Sequence, residues 1–411
     1  MALTTVPVEL ASLDGAVTVN ESSADVDFRI ESNGDTHRLF IDGGNDRLLI
    51  GTTASRAMSG VTPDFFIEGT SYADSGLGAV INANGAIDCP VLLFGKSRGT
   101  SLGSNTIVQN GDRLFTLRVD GSDGTNLEQA AMIEVHVDAA PGANEIPGRI
   151  TFHTTNDGSQ YATEKMRIDN AGRVGIGTTP ESWSSTWEVL QVGDRASISS
   201  QNGNVLQLAE NTYNDGSNWK AVGSDAASLI YMDSGTIQMY TAPSVSADAN
   251  QTFSTVMNID NNGHVQMPLQ SAFQAVSSAN QENIAVGSDV TVVFASVRFD
   301  QNSDYNNSTY TFTAPVTGKY WLGVTLRIDN MDQAASYYRL QIVTSNRTYY
   351  PLIQAGATLG TSDPPYSYMQ GFVLADMDAS DTALVKISQV GGSAQMDIIQ
   401  TESQFQGYLV A

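Results

Sequence analysis

Residues 310–329 read YTFTAPVTGKYWLGVTLRID, and the second half of this stretch alternates between two sets of side chains. Successive side chains of a β-strand point to opposite faces of a sheet, so residues two apart share a face. One face then holds Tyr320, Leu322, Val324, Leu326 and Ile328, and the other holds Trp321, Gly323, Thr325, Arg327 and Asp329. The alternation predicts a long strand with one buried face.

The same pattern recurs downstream of this strand. Tyr338, Leu340 and Ile342 repeat it, and so do Val385 and Ile387. Aromatic residues become denser from residue 269 onward, where several antiparallel strands fall within about 140 residues. Strands at this density predict a two-sheet sandwich, because each sheet must bury its apolar face against another layer.

The composition of the whole chain favours the same class. The 411 residues include 37 glycines, and only 16% are charged. β-Branched residues fit the pleat of a strand, Gly and Asn suit tight turns, and no sustained helical stripe of apolar residues is present. The sequence therefore predicts an all-β protein, and its length suggests about three units.

Charge and targeting signals exclude several classes of partner. The formal net charge is −24 and the 20 basic residues are scattered, whereas nucleic acid and anionic membranes require clustered Lys and Arg. The single Cys89 excludes an intrachain disulfide. Residues 1–19 lack the pattern of a secretory signal, and no stretch is long enough to span a bilayer. We therefore expect no nucleic acid partner and no membrane insertion.

Three upstream segments share a pattern of strand, Asp/Asn/Gly turn and strand: residues 40–53, 166–180 and 257–268. Asp and Asn bond to the turn backbone and Gly supplies a positive φ, so each segment predicts a tight hairpin. Their irregular spacing argues against a fixed-period solenoid. Hairpins with so few apolar residues cannot bury their own face, which predicts identical chains wound about a common axis.

Residues 132–138 show a different alternation. Ile133, Val135 and Val137 alternate with Glu134, His136 and Asp138. This is the pattern of an antiparallel strand with one solvated face, and it predicts that His136 points outward.

Four pieces of the C-terminal third resemble the globular head of complement subcomponent q and its tumour-necrosis-factor-like relatives. They are residues 272–275 (AFQA), 299–300 (FD), 310–320 (YTFTAPVTGKY) and 405–409 (FQGYL), in that order. The resemblance implies a ten-stranded jelly roll that forms compact trimers and binds ligands through surface loops. The residues that carry this head motif are Phe273, Phe312, Pro315, Gly318, Tyr320, Phe405, Gly407 and Leu409.

A second resemblance lies upstream of this head. Residues 168–180 (IDNAGRVGIGTTP) look like elements repeated in the tail-fibre and tailspike shafts of tailed bacteriophages, and residues 2–10 look like the virion-facing start of such proteins. The collagen repeats of the animal proteins are absent. The resemblance implies a trimeric β-hairpin and β-sandwich shaft, anchorage to other virion proteins (tail or adaptor) through the N-terminus, and a location in the virion that becomes extracellular after release.

Together these patterns predict four parts. Residues 1–60 would hold a virion-attachment segment and the first hairpin repeat, and residues 61–185 a β-rich shaft domain. Residues 186–268 would form a second shaft segment, and residues 269–411 the jelly-roll head.

Sequence motifs for catalysis are missing. Gly175 and Gly177 begin a dinucleotide-like pattern, but Pro180 takes the place of its third glycine. The four histidines lie far apart without zinc-ligand spacing, and no set of nucleophile, base and orienting group can be assembled. Residues 300–304 have calcium-like oxygen spacing without the turn glycine of a helix-loop-helix site, which leaves open a looser calcium site at loops or trimer contacts. We expect no enzyme, no catalytic residue and no cofactor other than calcium.

Tyrosines of the head are the candidates for receptor contact. A tyrosine offers an apolar ring to a sugar and a hydroxyl for hydrogen bonds. Tyr349, Tyr366 and Tyr368 lie beside prolines that indicate loops, so we predict that they bind the receptor. The alternative is that some of these rings pack inward or line the trimer axis.

The predicted function is that of a homotrimeric phage tail fibre whose head binds a glycan or protein of the host surface. A head fibre or capsid decoration protein would have the same trimeric body. A polysaccharide-degrading tailspike would need paired acids and a long regular coil repeat, and a bacterial adhesin would need a signal peptide.

Overall fold

The computed structural model describes residues 25–411, so the predicted virion-facing start at residues 2–10 lies outside the described residues. Within the described range the chain forms 30 strands and two short 3-10 helices, at Gly356–Leu359 and Gln400–Glu402. The strands are β1 Phe28–Ser32, β2 Asp35–Asp42, β3 Arg47–Ile50, β4 Phe65–Ile67, β5 Arg113–Ser122, β6 Leu127–Val137, β7 Gly148–Thr155, β8 Ala162–Ile168, β9 Val174–Ile176, β10 Trp187–Val192, β11 Ala196–Gln201, β12 Val205–Glu210, β13 Thr212–Asn214, β14 Trp219–Ala221, β15 Ala227–Asp233, β16 Thr236–Ala242, β17 Ser254–Ile259, β18 Val265–Gln266, β19 Ala272–Val276, β20 Val290–Thr291, β21 Ser296–Asp300, β22 Tyr305–Asn306, β23 Thr311–Thr313, β24 Gly318–Asp329, β25 Ala335–Thr344, β26 Thr348–Gln354, β27 Tyr366–Met377, β28 Thr382–Gly391, β29 Asp397–Ile398 and β30 Gln404–Leu409.

The strands belong to two compact units. The first unit consists of two segments, the chain up to Asp225 and Ser244–Gln251. The second unit comprises Ala226–Pro243 and Thr252–Ala411. In the described part of the first unit, β1 to β4 form a sheet in chain order, and β13 pairs with β14. Its largest assembly is the run β5-β6-β7-β8-β9-β10-β11-β12, in which neighbouring strands are hydrogen-bonded. We call this run the first-unit sheet.

The predicted hairpins are confirmed, and a single aspartate organises each of the two downstream turns. Between β8 and β9, the Asp169 carboxylate accepts a hydrogen bond from the Arg173 N–H at 2.9 Å and pairs with its guanidinium at 2.7 Å. Between β17 and β18, the Asp260 carboxylate accepts a hydrogen bond from the His264 N–H and lies beside Nδ1 of the His264 ring, at 2.9 Å each. Gly172 and Gly263 adopt φ values of 81° and 84°, which side chains disfavour. The local sequence therefore closes these turns by itself.

The prediction that His136 points outward into solvent is wrong. His136 lies in β6 beside Glu134, and its Nε2 lies 3.0 Å from a Glu134 carboxylate oxygen. Glu134 is only 2% exposed, and Arg113 pairs with it at 2.9 Å. Long polar side chains cover one another on this face, so the face that alternation marked as solvated is largely buried.

The second unit contains a sheet of order β18-β17-β16-β15 and a sandwich of two further sheets. One sheet of the sandwich runs β21-β19-β30-β24-β27, with β29 added to β24. The other runs β22-β23-β28-β25-β26, with β20 added to β28. The two five-strand paths confirm the expected all-β fold with a C-terminal jelly roll.

The core of the sandwich comes from the alternation described for β24. Tyr320, Leu322, Leu326 and Ile328 are fully buried, and they pack with Tyr338, Leu340 and Ile342 of the facing sheet. Two apolar faces thus meet inside one chain, which removes both from water. No helix in residues 25–411 is long and apolar enough to cross a membrane.

Candidate functional site

The predicted head-motif residues meet at one end of the sandwich core. Phe273 stacks on Phe312 with ring centroids 4.7 Å apart and meets Phe405 edge-on at 5.1 Å. The ring of Tyr320 lies 5.4 Å from that of Phe312, and its hydroxyl donates to the Val316 carbonyl at 2.7 Å. Burial raises the pKa of the Tyr320 hydroxyl. These rings are structural, because they leave no surface for a ligand.

The motif glycines sit where a side chain has no room. A Cβ on Gly407 would lie 2.6 Å from Leu322 Cδ2 and 2.9 Å from a Phe273 ring carbon. A Cβ on Gly318 would lie 2.6 Å from the Ala411 carbonyl and 2.8 Å from Leu409. Leu409 packs partly against the core, whereas Pro315 is exposed in the turn before β24.

Tyr305 belongs to the same aromatic cluster, although the sequence did not single it out as part of the core. Its ring stacks on Phe273 at 5.2 Å, and its hydroxyl donates to the Phe294 carbonyl at 3.1 Å. Burial raises the pKa of the Tyr305 hydroxyl far above its ordinary value. Its two-residue strand is too short to be recognised by alternation.

The outer face of the sheet that contains β24 carries an exposed aromatic patch. Trp321 stacks on Phe372 at 6.2 Å and on Tyr408 at 5.6 Å, with interplanar angles of 22° and 27°. The Trp321 ring lies across Gly323, where a Cβ would meet it at 2.3 Å, so the glycine lets the indole lie flat on the sheet. Phe372 is 69% exposed, and Leu374 beside it is also exposed. We call Trp321, Phe372, Leu374 and Tyr408 the aromatic patch.

Tyr366 and Tyr368 lie on the same face as the aromatic patch, at the other end of β27. Their rings meet edge-on at 6.4 Å, and the Arg327 guanidinium lies 5.3 Å from the Tyr366 centroid. Hydrogen bonds to Asp329 and Glu402 hold Arg327 in place and raise its pKa. Tyr366 is six residues from Phe372, which is roughly 20 Å along an extended strand. Two exposed tyrosines and a fixed cation therefore form a separate site on this face.

Tyr349 is not part of that site. It lies in β26 of the other sheet, where its ring packs partly against the core and Arg347 lies 5.9 Å from its centroid. The structure thus brings together two of the three predicted receptor residues. Sequence reasoning placed Trp321 and Arg327 on the unburied face of β24 but named neither of them, nor Phe372 or Tyr408, as a binding residue. The even spacing of Tyr366, Tyr368, Phe372 and Leu374 does predict one shared face.

The described residues contain no group of three or more metal-ligating side chains that could hold a metal ion. Residues 300–304 have the oxygen spacing of a calcium loop. The Asp300 carboxylate instead accepts hydrogen bonds from the Asp304 N–H at 3.0 Å and the Tyr305 N–H at 2.9 Å. These bonds shape the turn between β21 and β22. We therefore do not carry calcium into the proposed function.

Two histidines that are distant in sequence meet at one carboxylate of the first unit. His136 and His153 place Nε2 atoms 3.0 and 3.5 Å from the same oxygen of Glu134. Arg113 and Thr116 contact the other oxygen, at 2.9 and 3.3 Å. The carboxylate is occupied by these partners, so the cluster is an internal polar network.

Residues 272–410 match the family model of the C1q domain. The C-terminal jelly roll is therefore similar to the C1q domain, and we call it the C1q domain below. Among solved structures, the globular domain of zebrafish complement 1qA is similar, with 16% identity, a TM-score of 0.25, and coverage of 34% of this chain and 98% of that one. Murine APRIL is similar with 11% identity, a TM-score of 0.26, and coverage of 34% and 99%.

The carboxy-terminal domain of the bacteriophage T5 L-shaped tail fibre is similar over a longer stretch. The identity is 10% and the TM-score 0.28, and the match covers 47% of this chain and 90% of that one. No curated protein matches the sequence significantly. The C1q domain thus accounts for the last third of the chain.

Proposed function

We propose that the protein is a homotrimeric, non-enzymatic fibre subunit of a tailed bacteriophage, and that its C1q domain binds the host surface. The observation that carries the proposal is the outer face of the C1q sheet, where an exposed aromatic patch and an exposed tyrosine pair occupy opposite ends of β27. Contiguous apolar surface of this kind is characteristic of protein interaction sites. The upstream hairpin elements, which resemble those of phage shafts, support the assignment to a fibre.

We assign the aromatic patch to contact between subunits. The Trp321 ring stacks on the rings of Phe372 and Tyr408, and aromatic residues are enriched in the centres of subunit interfaces, where charged residues are depleted. Size exclusion with light scattering should report about three times 43.8 kDa for the full chain. A stable, folded monomer at micromolar concentration would disprove the homotrimer.

We assign Tyr366 and Tyr368 to receptor contact, together with Arg327, which lies over the Tyr366 ring, and retain Tyr349 as a third candidate. The tyrosine rings can pack against the C–H face of a sugar, and the tyrosine hydroxyls and the Arg327 guanidinium can donate hydrogen bonds to its hydroxyls. This chemistry suits a surface glycan, and a protein receptor would use the same groups. Three copies per trimer raise avidity on a repetitive surface without strong single contacts.

The test is competition between the purified full-length protein and phage particles for adsorption to host cells. Tyr366→Ala combined with Tyr368→Ala should weaken competition while the trimer mass and the melting temperature stay at their wild-type values. Loss of the trimer would show instead that these rings line the subunit contact. If the wild-type trimer fails to compete even in excess, host binding is wrong and a capsid decoration protein becomes the better assignment.

The N-terminal segment, residues 1–60 in the predicted division, would then hold the virion-attachment site, and the parts at 61–185 and 186–268 would form the shaft below the head at 269–411. We propose the virion as the location of the protein, with tail or adaptor proteins as its partners there. The matched C1q family is a binding family rather than a catalytic one, which supports the non-enzymatic assignment.

A further inference from the structure

Strand register in the first-unit sheet lines up one uninterrupted row of apolar residues. Residues paired across neighbouring strands point to the same side of a sheet. From β5 to β12, the successive partners in this row are Phe115, Val135, Ile150, Ile168, Val174, Leu190, Ile198 and Leu208. Every one of the eight strands contributes a large apolar side chain to it.

A second row runs parallel to the first, two residues along each strand and therefore on the same face. From β5 to β10, its partners are Leu117, Ile133, Phe152, Met166, Ile176 and Val192. We call the two rows together the apolar face. None of its 14 side chains carries a charge, although the chain has a net charge of −24.

The apolar face is the more exposed side of the sheet. Six of its residues are between 39% and 52% exposed: Leu117, Ile150, Ile176, Val192, Ile198 and Leu208. On the opposite face, the row that contains Thr116, Glu134, Thr151, Gln191 and Ser197 is largely buried. Water thus meets the apolar side, which is the reverse of a sheet that is stable as a single chain.

A neighbouring segment adds to this unpartnered apolar surface. Phe94 stacks on Phe115, the first residue of the long row, with centroids 4.5 Å apart. Around it, Val91, Leu92 and Leu93 are exposed, and residues 89–96 make no backbone hydrogen bond to another described residue. Backbone groups in extended chain need partners once they are buried, and another chain could supply them.

We propose that the apolar face is an interface between copies of this chain, and that its occupant is the same face of the other subunits. This inference rests on the homotrimer of the proposed function. The chain is acidic, but its apolar face carries no charge, so identical faces can meet without electrostatic repulsion. Three such faces packed around one axis would all be removed from water. The first-unit sheet then shares its core among subunits, whereas the C1q domain keeps its core within each chain.

The experiment measures access of a charged maleimide to single cysteines in the purified full-length protein. Cys89→Ser removes the only native thiol, and Leu117→Cys, Ile150→Cys and Ile198→Cys each place a new one on the apolar face. Ala171→Cys, on the exposed turn between β8 and β9, is the control. Since the sample contains no other protein, a protected face must be covered by this chain, and the oligomeric state of the same sample tells whether other copies are present.

We expect the three face cysteines to label at least about tenfold more slowly than Ala171→Cys, and to label at the control rate after unfolding. Light scattering on each variant gives its oligomeric state, which distinguishes failure of this inference from failure of the proposed homotrimer. Labelling at the control rate in a trimer would overturn the inference and leave the homotrimer standing. Rapid labelling of a monomer would overturn both. Slow labelling of a monomer would mean that the chain covers its own face, which also overturns the inference.

Discussion

The C1q domain and the first-unit sheet use the same alternation of apolar and other residues, with opposite results. In the C1q domain, the apolar side of β24 faces a second sheet of the same chain, and its side chains are buried. In the first-unit sheet, much of the apolar side is exposed. The opposite side is largely buried, because polar neighbours cover Glu134 and because Trp187 packs on Trp183 and Trp219. Alternation therefore predicts which side of a strand is favoured for burial, but not whether the same chain or another chain packs against that side.

The largest expected effect tests the self-contained core of the C1q domain. Gly407→Val forces a branched side chain against Leu322 and Phe273, which lie at 2.6 and 2.9 Å from the position of the new Cβ. Overpacking against two core residues should cost about 3 kcal/mol of unfolding free energy, the upper end of the usual range. Expression yield and thermal melting measure it.

The matched control for that variant is Gly121→Val in β5, where no described atom lies within 4 Å of the new Cβ. It should melt within a few degrees of the wild type. Normal melting of Gly407→Val would show that the last strand of the sandwich is misplaced.

A charge on the apolar face distinguishes a shared core from a solvated surface. Ile198→Lys would change stability by no more than about 0.5 kcal/mol if Ile198 faced water. If the face packs against other subunits, the lysine is buried without a partner, and we expect a loss of about 3 kcal/mol or more together with weaker trimerisation. Unfolding followed at several protein concentrations measures both effects, because subunit dissociation depends on concentration.

Ile353→Lys in β26 of the C1q domain is the control for this charge. Ile353 is more exposed than Ile198 and lies outside the aromatic patch. If both lysine variants lowered the melting temperature equally, the apolar face would behave like an ordinary exposed surface, and the proposed difference between the two regions would be disproved.

The smallest effect concerns acid stability of the C1q domain. The Asp332 carboxylate accepts hydrogen bonds from the N–H groups of Ala394, Ser393 and Ala334 at 2.9, 2.6 and 2.7 Å, and these bonds lower its pKa. A lowered pKa in the folded state stabilises the protein above the ordinary value of 3.8, and this contribution is lost as the pH falls through the folded-state value.

Asp332→Asn should therefore lower the melting temperature at neutral pH and flatten its decline below about pH 4. The exposed Asp157→Asn serves as the control and should keep the wild-type decline. An unchanged acid slope in Asp332→Asn would mean that the carboxylate does not contribute to acid stability.

Much of the fold was predictable because its determinants are local. The hairpin turns follow from Asp169, Gly172 and the Arg173 that pairs with Asp169, all within five residues. The buried face of β24 follows from its own alternation, and the head motif marks the C1q domain. The site was less predictable. Tyr366 and Tyr368 could be named as candidates, but Arg327, which stacks on Tyr366, comes from a strand that pairs with β27 only in the folded sheet.

The all-β class, the turns and the jelly roll could be predicted from the sequence alone, since turn chemistry and period-two alternation act over a few residues. The burial of Glu134 in β6 depends on tertiary contacts, because Glu134 is covered by His136 of its own strand and by Arg113 and His153 of the two neighbouring strands. Only the register across eight strands revealed the continuous apolar face, because each strand contributes one or two residues to it. Burial is a property of neighbours in space, and those neighbours come from positions that no local pattern connects.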